Sequence, residues 1–227
     1  MRPTVLLFDI DGTLITTGGA GRRAIDRAFE ELLGRSDACS HFSFSGMTDR
    51  AIIRLGLEAL GEKVDDARVD ALIAAYLGAL GDEVTRTPPE KYRVHAGMRE
   101  AVKAGLDRGM AVGLGTGNVR EGARIKLERV QLYDSFAFGG FGDDHELRPE
   151  LIRRGAERGL AQLKVTEARV VVIGDTPKDV DAAIAIGAES LAVATGGFSL
   201  QQLREAGATR AFETLAEPEA QAFLFAP

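Results

Sequence analysis

Thr4-Val5-Leu6-Leu7-Phe8-Asp9-Ile10-Asp11-Gly12-Thr13 is a short apolar run that stops abruptly at two carboxylates and a turn residue. Such a run, bounded by turn signals, reads as a buried β-strand with polar groups at its carboxyl end. Four further stretches repeat the pattern: Met110 to Gly115 before Thr116-Gly117-Asn118, a weak Phe136 to Phe138, Arg169 to Ile173 before Gly174-Asp175-Thr176-Pro177, and Ser190 to Ala194 before Thr195-Gly196-Gly197. Helical patterns lie between them: Met98 to Arg108, Glu121 to Val130, Glu150 to Arg158 and Lys178 to Ile186, the first and last stopped by Gly109 and Gly187. Strands alternating with helices predict βαβ units and a parallel sheet with helices on both faces. The tail from Ala211 to Pro227 is expected to hold a short edge strand.

The spacing is uneven. Thr116 to Arg148 spans 32 residues and Arg148 to Asp175 spans 27, each close to one βαβ unit, but Asp11 to Thr116 spans 105. A structureless loop of the surplus length, about 70 residues, does not suit a compact domain. Its content is helical: Arg22 to Leu33 stopped by Gly34, Asp49 to Leu60 stopped by Gly61, and Asp65 to Leu80 stopped by Gly81. The expected organisation is therefore a core of residues 1–17 and 90–227 interrupted by a helical module, 18–89, joined through Gly18-Gly19 and Pro88-Pro89.

Composition narrows the class. With 34 acidic residues against 28 Lys plus Arg, the net charge of −6 argues against a general nucleic-acid binder, which neutralises phosphates with cations. A small anionic ligand stays compatible, because a few local donors can reverse the field in one cleft. No stretch approaches a membrane span, and the amino-terminal apolar run is too short for a signal peptide, so the expected location is the cytoplasm. The single cysteine, Cys39, excludes an internal disulfide and a thiolate zinc cluster, and nothing around it resembles a nucleophile signature.

In an open parallel sheet, ligands gather outside the carboxyl ends of the strands. Asp9, Asp11, Thr13, Thr116, Asn118, Asp175 and Asp179 all fall there. Buried carboxylates are costly unless paired or metal-bound, and oxygen donors from Asp9, Asp11 and Asp175 suit Mg²⁺. Strict alternation would send Asp9 and Asp11 to opposite faces, so the chain has to turn at Ile10 and Gly12.

These residues resemble the haloacid dehalogenase-like hydrolase superfamily. Its Asp-x-Asp-x-Thr motif matches Asp9-Ile10-Asp11-Gly12-Thr13, its strand-end Ser/Thr matches Thr116, and its Gly-Asp-x-x-x-Asp matches Gly174-Asp175-Thr176-Pro177-Lys178-Asp179. The helical insert looks like the cap of the phosphoglycolate phosphatase and β-phosphoglucomutase subfamily. The resemblance implies a Rossmann-like α/β core with an α-helical cap. It also implies a Mg²⁺-dependent phosphatase acting on a small phosphorylated metabolite. In that reading Asp9 is the nucleophile that becomes an aspartyl-phosphate and Asp11 the general acid/base. Asp9, Asp175 and the Asp11 carbonyl hold the metal, Thr116, Gly117 and Asn118 bind phosphate, and Thr13 and Asp179 support the site. A helix N-cap is the competing role for Thr116 and its neighbours, and helix-dipole stabilisation the competing role for Asp179.

One motif departs from the family. Where a Lys is usual, the alignable pair is Arg148-Pro149, and Arg148 is expected to bridge phosphate and nucleophile, with Lys178 as the other source of charge. A phosphomutase, or a catalytically weak phosphate-binding or regulatory protein, are the alternatives. Lys63, in the insert, is the one obvious lysine for Schiff-base phosphonate chemistry and has no supporting pattern. Ser45-Gly46-Met47-Thr48-Asp49-Arg50 is similar to the cap loop that faces the active site in phosphoglycolate-phosphatase-like members, and Thr48 and Arg50 are candidate substrate contacts from the cap, as is Arg22; an N-cap of the next helix is the competing role for Thr48 or Asp49. His41, His95 and His145 show no metal-ligand spacing. Asp143-Asp144 reads as a solvated or capping pair, with indirect support of a metal as the other role.

Overall fold

The computed structural model describes residues 2–226. Its centre is β1 (Thr4–Phe8), fully buried, with β4 (Ala111–Gly115) and β6 (Arg169–Gly174) on either side. β5 (Gly139–Gly140) lies beyond β4, while β7 (Glu189–Val193) and β8 (Arg210–Phe212) extend the other edge, giving the order β5-β4-β1-β6-β7-β8. Every pairing in this sheet is parallel, with Phe8 opposite both Leu114 and Ile173.

Strand alternation divides the core. Leu6 and Phe8 of β1 face one side with Val112, Leu114, Val171 and Ile173. That layer is covered by α4 (Met98–Asp107), α5 (Arg120–Glu128) and the inserted helices. Val5 and Leu7 face the other side, against α6 (Arg148–Leu163) and α7 (Pro177–Ala185). Both faces are thus covered, which is why the strands read as continuous apolar runs.

The insert consists of α1 (Ala20–Leu33), α2 (Asp49–Ala59) and α3 (Asp66–Arg86). α3 does not end at Gly81 as its sequence predicts. Leu80, Glu83 and Val84 are buried, and Glu83 takes ion pairs from Arg23 at 2.7 Å and Arg27 at 3.0 Å. That packing outweighs the roughly 1 kcal/mol cost of a helical glycine. The two connections of the insert meet in a short antiparallel ribbon, β2 (Ile15–Thr16) with β3 (Arg93–Val94), which the sequence did not predict.

The weak strand at Phe136 to Phe138 is also displaced. The ladder instead runs through Gly139 and Gly140, while both phenylalanines pack into the core. A Cβ on Gly140 would strike the Leu151 backbone, so α6 can sit on this strand only because the glycine is there. After β8 the tail forms α9 (Pro218–Leu224), started by proline at its first turn, rather than continuing as a strand. A short helix, α8 (Leu200–Glu205), precedes β8. Among the described residues no helix is long and apolar enough to cross a membrane.

Candidate active site

The strand order reverses direction at β1, which places a crevice over the carboxyl ends of β1, β4 and β6. A cavity of about 370 Å³ occupies it, lined from below by Asp9, Asp11, Thr116, Arg148 and Asp175 and from above by the insert.

The chain turns between Asp9 and Asp11 as anticipated. Gly12 adopts φ +86°, and a Cβ there would collide with the Asp175 carboxylate, so glycine serves both the turn and the close approach. Thr13 Oγ1 donates to Asp175 Oδ1 at 2.8 Å. The carboxylates of Asp9, Asp175 and Asp179 converge within 4.8 Å of one another, all buried. Burial pushes Asp9 up to about 6, against the pull of Arg148 beside it, with Asp179 and Asp11 adding to the rise. Burial, then Asp179 and Asp9, raise Asp175 well above the usual carboxylate range.

Arg148, at the start of α6, is the cation that answers this charge. Its Nη2 lies 2.9 Å from Asp9 Oδ1, while Nε and Nη2 donate to Asp179 Oδ1 at 2.9 and 2.5 Å. Burial opposes its charge, but Asp179 and Asp9 outweigh that and raise its pKa. Lys178 does not line this cavity; it borders a neighbouring depression that Arg148, Glu146 and Pro149 also line. Asp179 has two jobs. It completes the capping box of α7, accepting from Thr176 N at 3.1 Å and Thr176 Oγ1 at 2.7 Å, and it holds Arg148 with its other oxygen.

Thr116 is fully buried, and its hydroxyl oxygen accepts from Asn118 N at 3.3 Å and Asn118 Nδ2 at 2.8 Å. Neither residue caps α5 with its side chain. Instead Asp49 Oδ2 accepts from Val119 N at 2.9 Å and Asp143 accepts from Arg120 N, which fixes the capping role of Asp143. Asp144 pairs with Arg158 at 2.6 Å.

The Asp11 carboxylate does not join the acidic cluster. Its Oδ2 accepts from Asn118 Nδ2 at 2.8 Å and from Lys126 Nζ at 2.7 Å. Lys126 was not foreseen, yet it sits with Ala123 and Leu127 on the buried face of α5, a lysine at an apolar helical position. Asp49, expected in a cap loop facing the site or as the N-cap of the next helix, is the first residue of α2. It is buried and lines the cavity beside Tyr76.

The expectations for Thr48 and Arg50 are corrected. Thr48 caps α2, accepting from Ala51 N at 3.2 Å, and its hydroxyl donates to the Glu146 carbonyl. Arg50 turns away to Asp70 at 2.6 Å and Glu146 at 3.4 Å. Neither lines the cavity, because the turn of α2 that meets the crevice presents Asp49. Arg22 does line it, with Nη1 and Nη2 donating to the Cys39 and Phe42 carbonyls at 3.0 Å each and its guanidinium 3.8 Å from the Phe44 ring centre.

The remaining candidates do not line the cavity. Burial pushes the Cys39 thiol up to about 12, far from a reactive thiolate. Lys63 is exposed and paired with Asp65 at 2.8 Å, away from the cavity. His145 accepts from Leu147 N at 2.9 Å, and no histidine joins a metal-type cluster among the described residues.

Burial of Asp9 and Asp49 has a consequence for stability. Both are pushed from an ordinary 3.8 to about 6, in each case chiefly by burial. At these two positions the folded form holds more protons than the unfolded chain between about pH 4 and 6, so their contribution to stability falls as pH rises through that window. In metal-free buffer Asp49→Asn is expected to flatten this fall, since an amide oxygen can still accept from Val119. Thermal unfolding at pH 4, 5, 6 and 7 checks it; slopes identical to wild type would contradict the assignment.

A profile of the haloacid dehalogenase-like hydrolases matches residues 6–193, and the chain belongs to that family. It is 26% identical over 222 residues to the probable phosphatase IndB of Dickeya dadantii, covering 96% of this chain and 92% of that one. A hydrolase from Pseudomonas syringae shares the fold at TM-score 0.73 and 18% identity, covering all of both chains. CbbY from Rhodobacter sphaeroides, crystallised with phosphate, does so at 0.72 and 18%, covering 96% of each.

Proposed function

We propose that the chain is a Mg²⁺-dependent phosphatase that hydrolyses a small phosphorylated metabolite through an aspartyl-phosphate on Asp9. That it is a hydrolase of phosphatase type follows from its family and its curated relative. The single observation carrying the finer reading is the Asp9 carboxylate held between Arg148 and the Asp175–Asp179 pair. In this reading residues 18–89 act as a cap over a core of 1–17 and 90–227, and Thr116, Gly117 and Asn118 receive the phosphate oxygens.

The donor set fits a hard divalent cation. Asp9 and Asp175 offer carboxylate oxygens in one buried cluster, and among the described residues the Asp11 carbonyl accepts no hydrogen bond. Bound there, the cation would neutralise charge between nucleophile and phosphate.

The chain's own residues do the rest. Asp9 is ionised at neutral pH and attacks phosphorus, forming a carboxyl–phosphate bond as the ester P–O bond breaks. The electron pair leaves with the ester oxygen, which takes a proton from Asp11. Asp11 then takes a proton from the water that attacks phosphorus, releasing inorganic phosphate and restoring Asp9. Arg148 keeps the Asp9 carboxylate oriented and adds positive charge beside the phosphoryl group.

Turnover of p-nitrophenyl phosphate is the direct test. Phosphate release is expected with Mg²⁺ and is expected to fall to background with EDTA, returning when Mg²⁺ is restored. No release from a broad panel of phosphate esters with Mg²⁺ present would sink the proposal. A phosphomutase would instead isomerise a sugar phosphate without net release.

A further inference from the structure

Lys126 has no part in the steps above, yet it is the only buried lysine among the described residues. An ammonium is costly to bury, so its partners matter. Nζ donates to Asp11 Oδ2 at 2.7 Å and to Asn118 Oδ1 at 2.5 Å. Asn118 in turn donates from Nδ2 to the same Asp11 Oδ2 at 2.8 Å and to Thr116 Oγ1 at 2.8 Å. Both strong donors converge on one oxygen. The other, Oδ1, meets only Thr17 Oγ1, at the 3.5 Å limit of hydrogen bonding.

The Asp11 side chain is 41% exposed to the cavity mouth and would otherwise be free to change rotamer. Lys126 stands on α5, whose buried Ala123 and Leu127 fix it against the core. It is a rigid post, and a carboxyl tied to a rigid helix is held far better than one on a loop.

We propose that Lys126 is the positioning residue for Asp11. By occupying Oδ2 it turns Oδ1 to the cavity as the oxygen that gives and takes the transferred proton. This rests on the acid/base role of Asp11 in the proposed function.

A leaving-group comparison tests it. p-Nitrophenyl phosphate releases an anion that is stable at neutral pH and needs little help from an acid. Phenyl phosphate releases a phenoxide whose conjugate acid has a pKa of about 10, and it does need one. Lys126→Met, close to lysine in length, is expected to lower kcat/KM about 10²-fold on phenyl phosphate and less than about fivefold on p-nitrophenyl phosphate. Lys126→Gln, which keeps a donor, is read by the same ratio and covers failure of the methionine variant to fold. Equal losses on both esters, or no loss on phenyl phosphate, would overturn the positioning role. A wild-type enzyme that turns over the nitrophenyl ester alone has no working acid to position, which overturns it too while sparing the nucleophile. Turnover of neither ester removes the acid/base reading and this proposal together.

Discussion

Asp9→Asn is expected to lower kcat/KM by about 10⁴-fold or more on any phosphate ester, without loss of fold. Asparagine has the shape of aspartate but no anionic oxygen to form the phosphoryl bond, and the neighbouring carboxylates are engaged by other groups: Asp11 is held through Oδ2 by Lys126 and Asn118. Asp175 is bonded to Thr13, and Asp179 accepts from Arg148 and Thr176. The fold should survive for an electrostatic reason. Burial already pushes Asp9 up to about 6, so at neutral pH the free carboxylate is a burden on the metal-free protein. Arg148 keeps its two bonds to Asp179 in the variant. A thermal midpoint at pH 7.5 equal to or above wild type, beside a dead enzyme, is the expected pair of results. Activity within tenfold of wild type would exclude Asp9 as nucleophile.

Arg148→Met is expected to be damaging in both respects. It leaves the buried Asp9 and Asp179 without their common partner, and breaking such a pair costs about 3–5 kcal/mol. In the proposed mechanism it also removes positive charge beside the phosphoryl group, for an expected further loss of roughly 10²–10³-fold in kcat. Arg148→Lys separates charge from geometry. One ammonium can still lie between Asp9 and Asp179, so activity should stay within tenfold of wild type or exceed it. Urea unfolding and kcat/KM measured on both variants decide the point. A lysine variant as inactive as the methionine one would show that the forked guanidinium is required.

The sequence exposed those parts of the site where an apolar run meets a polar residue. Asp9, Thr116 and Asp175 each follow a strand directly, and strand ends in a parallel sheet share one rim. Lys126 and Asp49 were harder for a common reason: each belongs to a helix, and its meaning depends on what that helix faces. Lysine among Ala123 and Leu127 breaks the apolar face of α5, which is a local signal. Nothing local says that the first turn of α2 meets the first turn of α5, where the Asp49 N–H donates to the Gly117 carbonyl at 2.9 Å. Arg50 shows the same limit in reverse, since its neighbours Asp70 and Glu146 come from distant segments. β5 was misplaced because phenylalanines look like a strand and glycines do not, although here close packing by α6 selects the glycines.

The β2–β3 ribbon bears on how such a molecule can change over time. Ile15 and Val94 are ladder partners, so everything between them leaves the core and returns at nearly the same point. A segment whose ends are already joined can lengthen cheaply, because each doubling of a loop costs only about 0.6 kcal/mol in closure entropy. The sheet below is held by its own pairings and does not feel the length of what passes through this gate. Residues added at exposed turns of the insert therefore cost the sheet little, whereas its inward faces, which pack on the layer of Leu6 and Phe8, are bound to the core in shape and size.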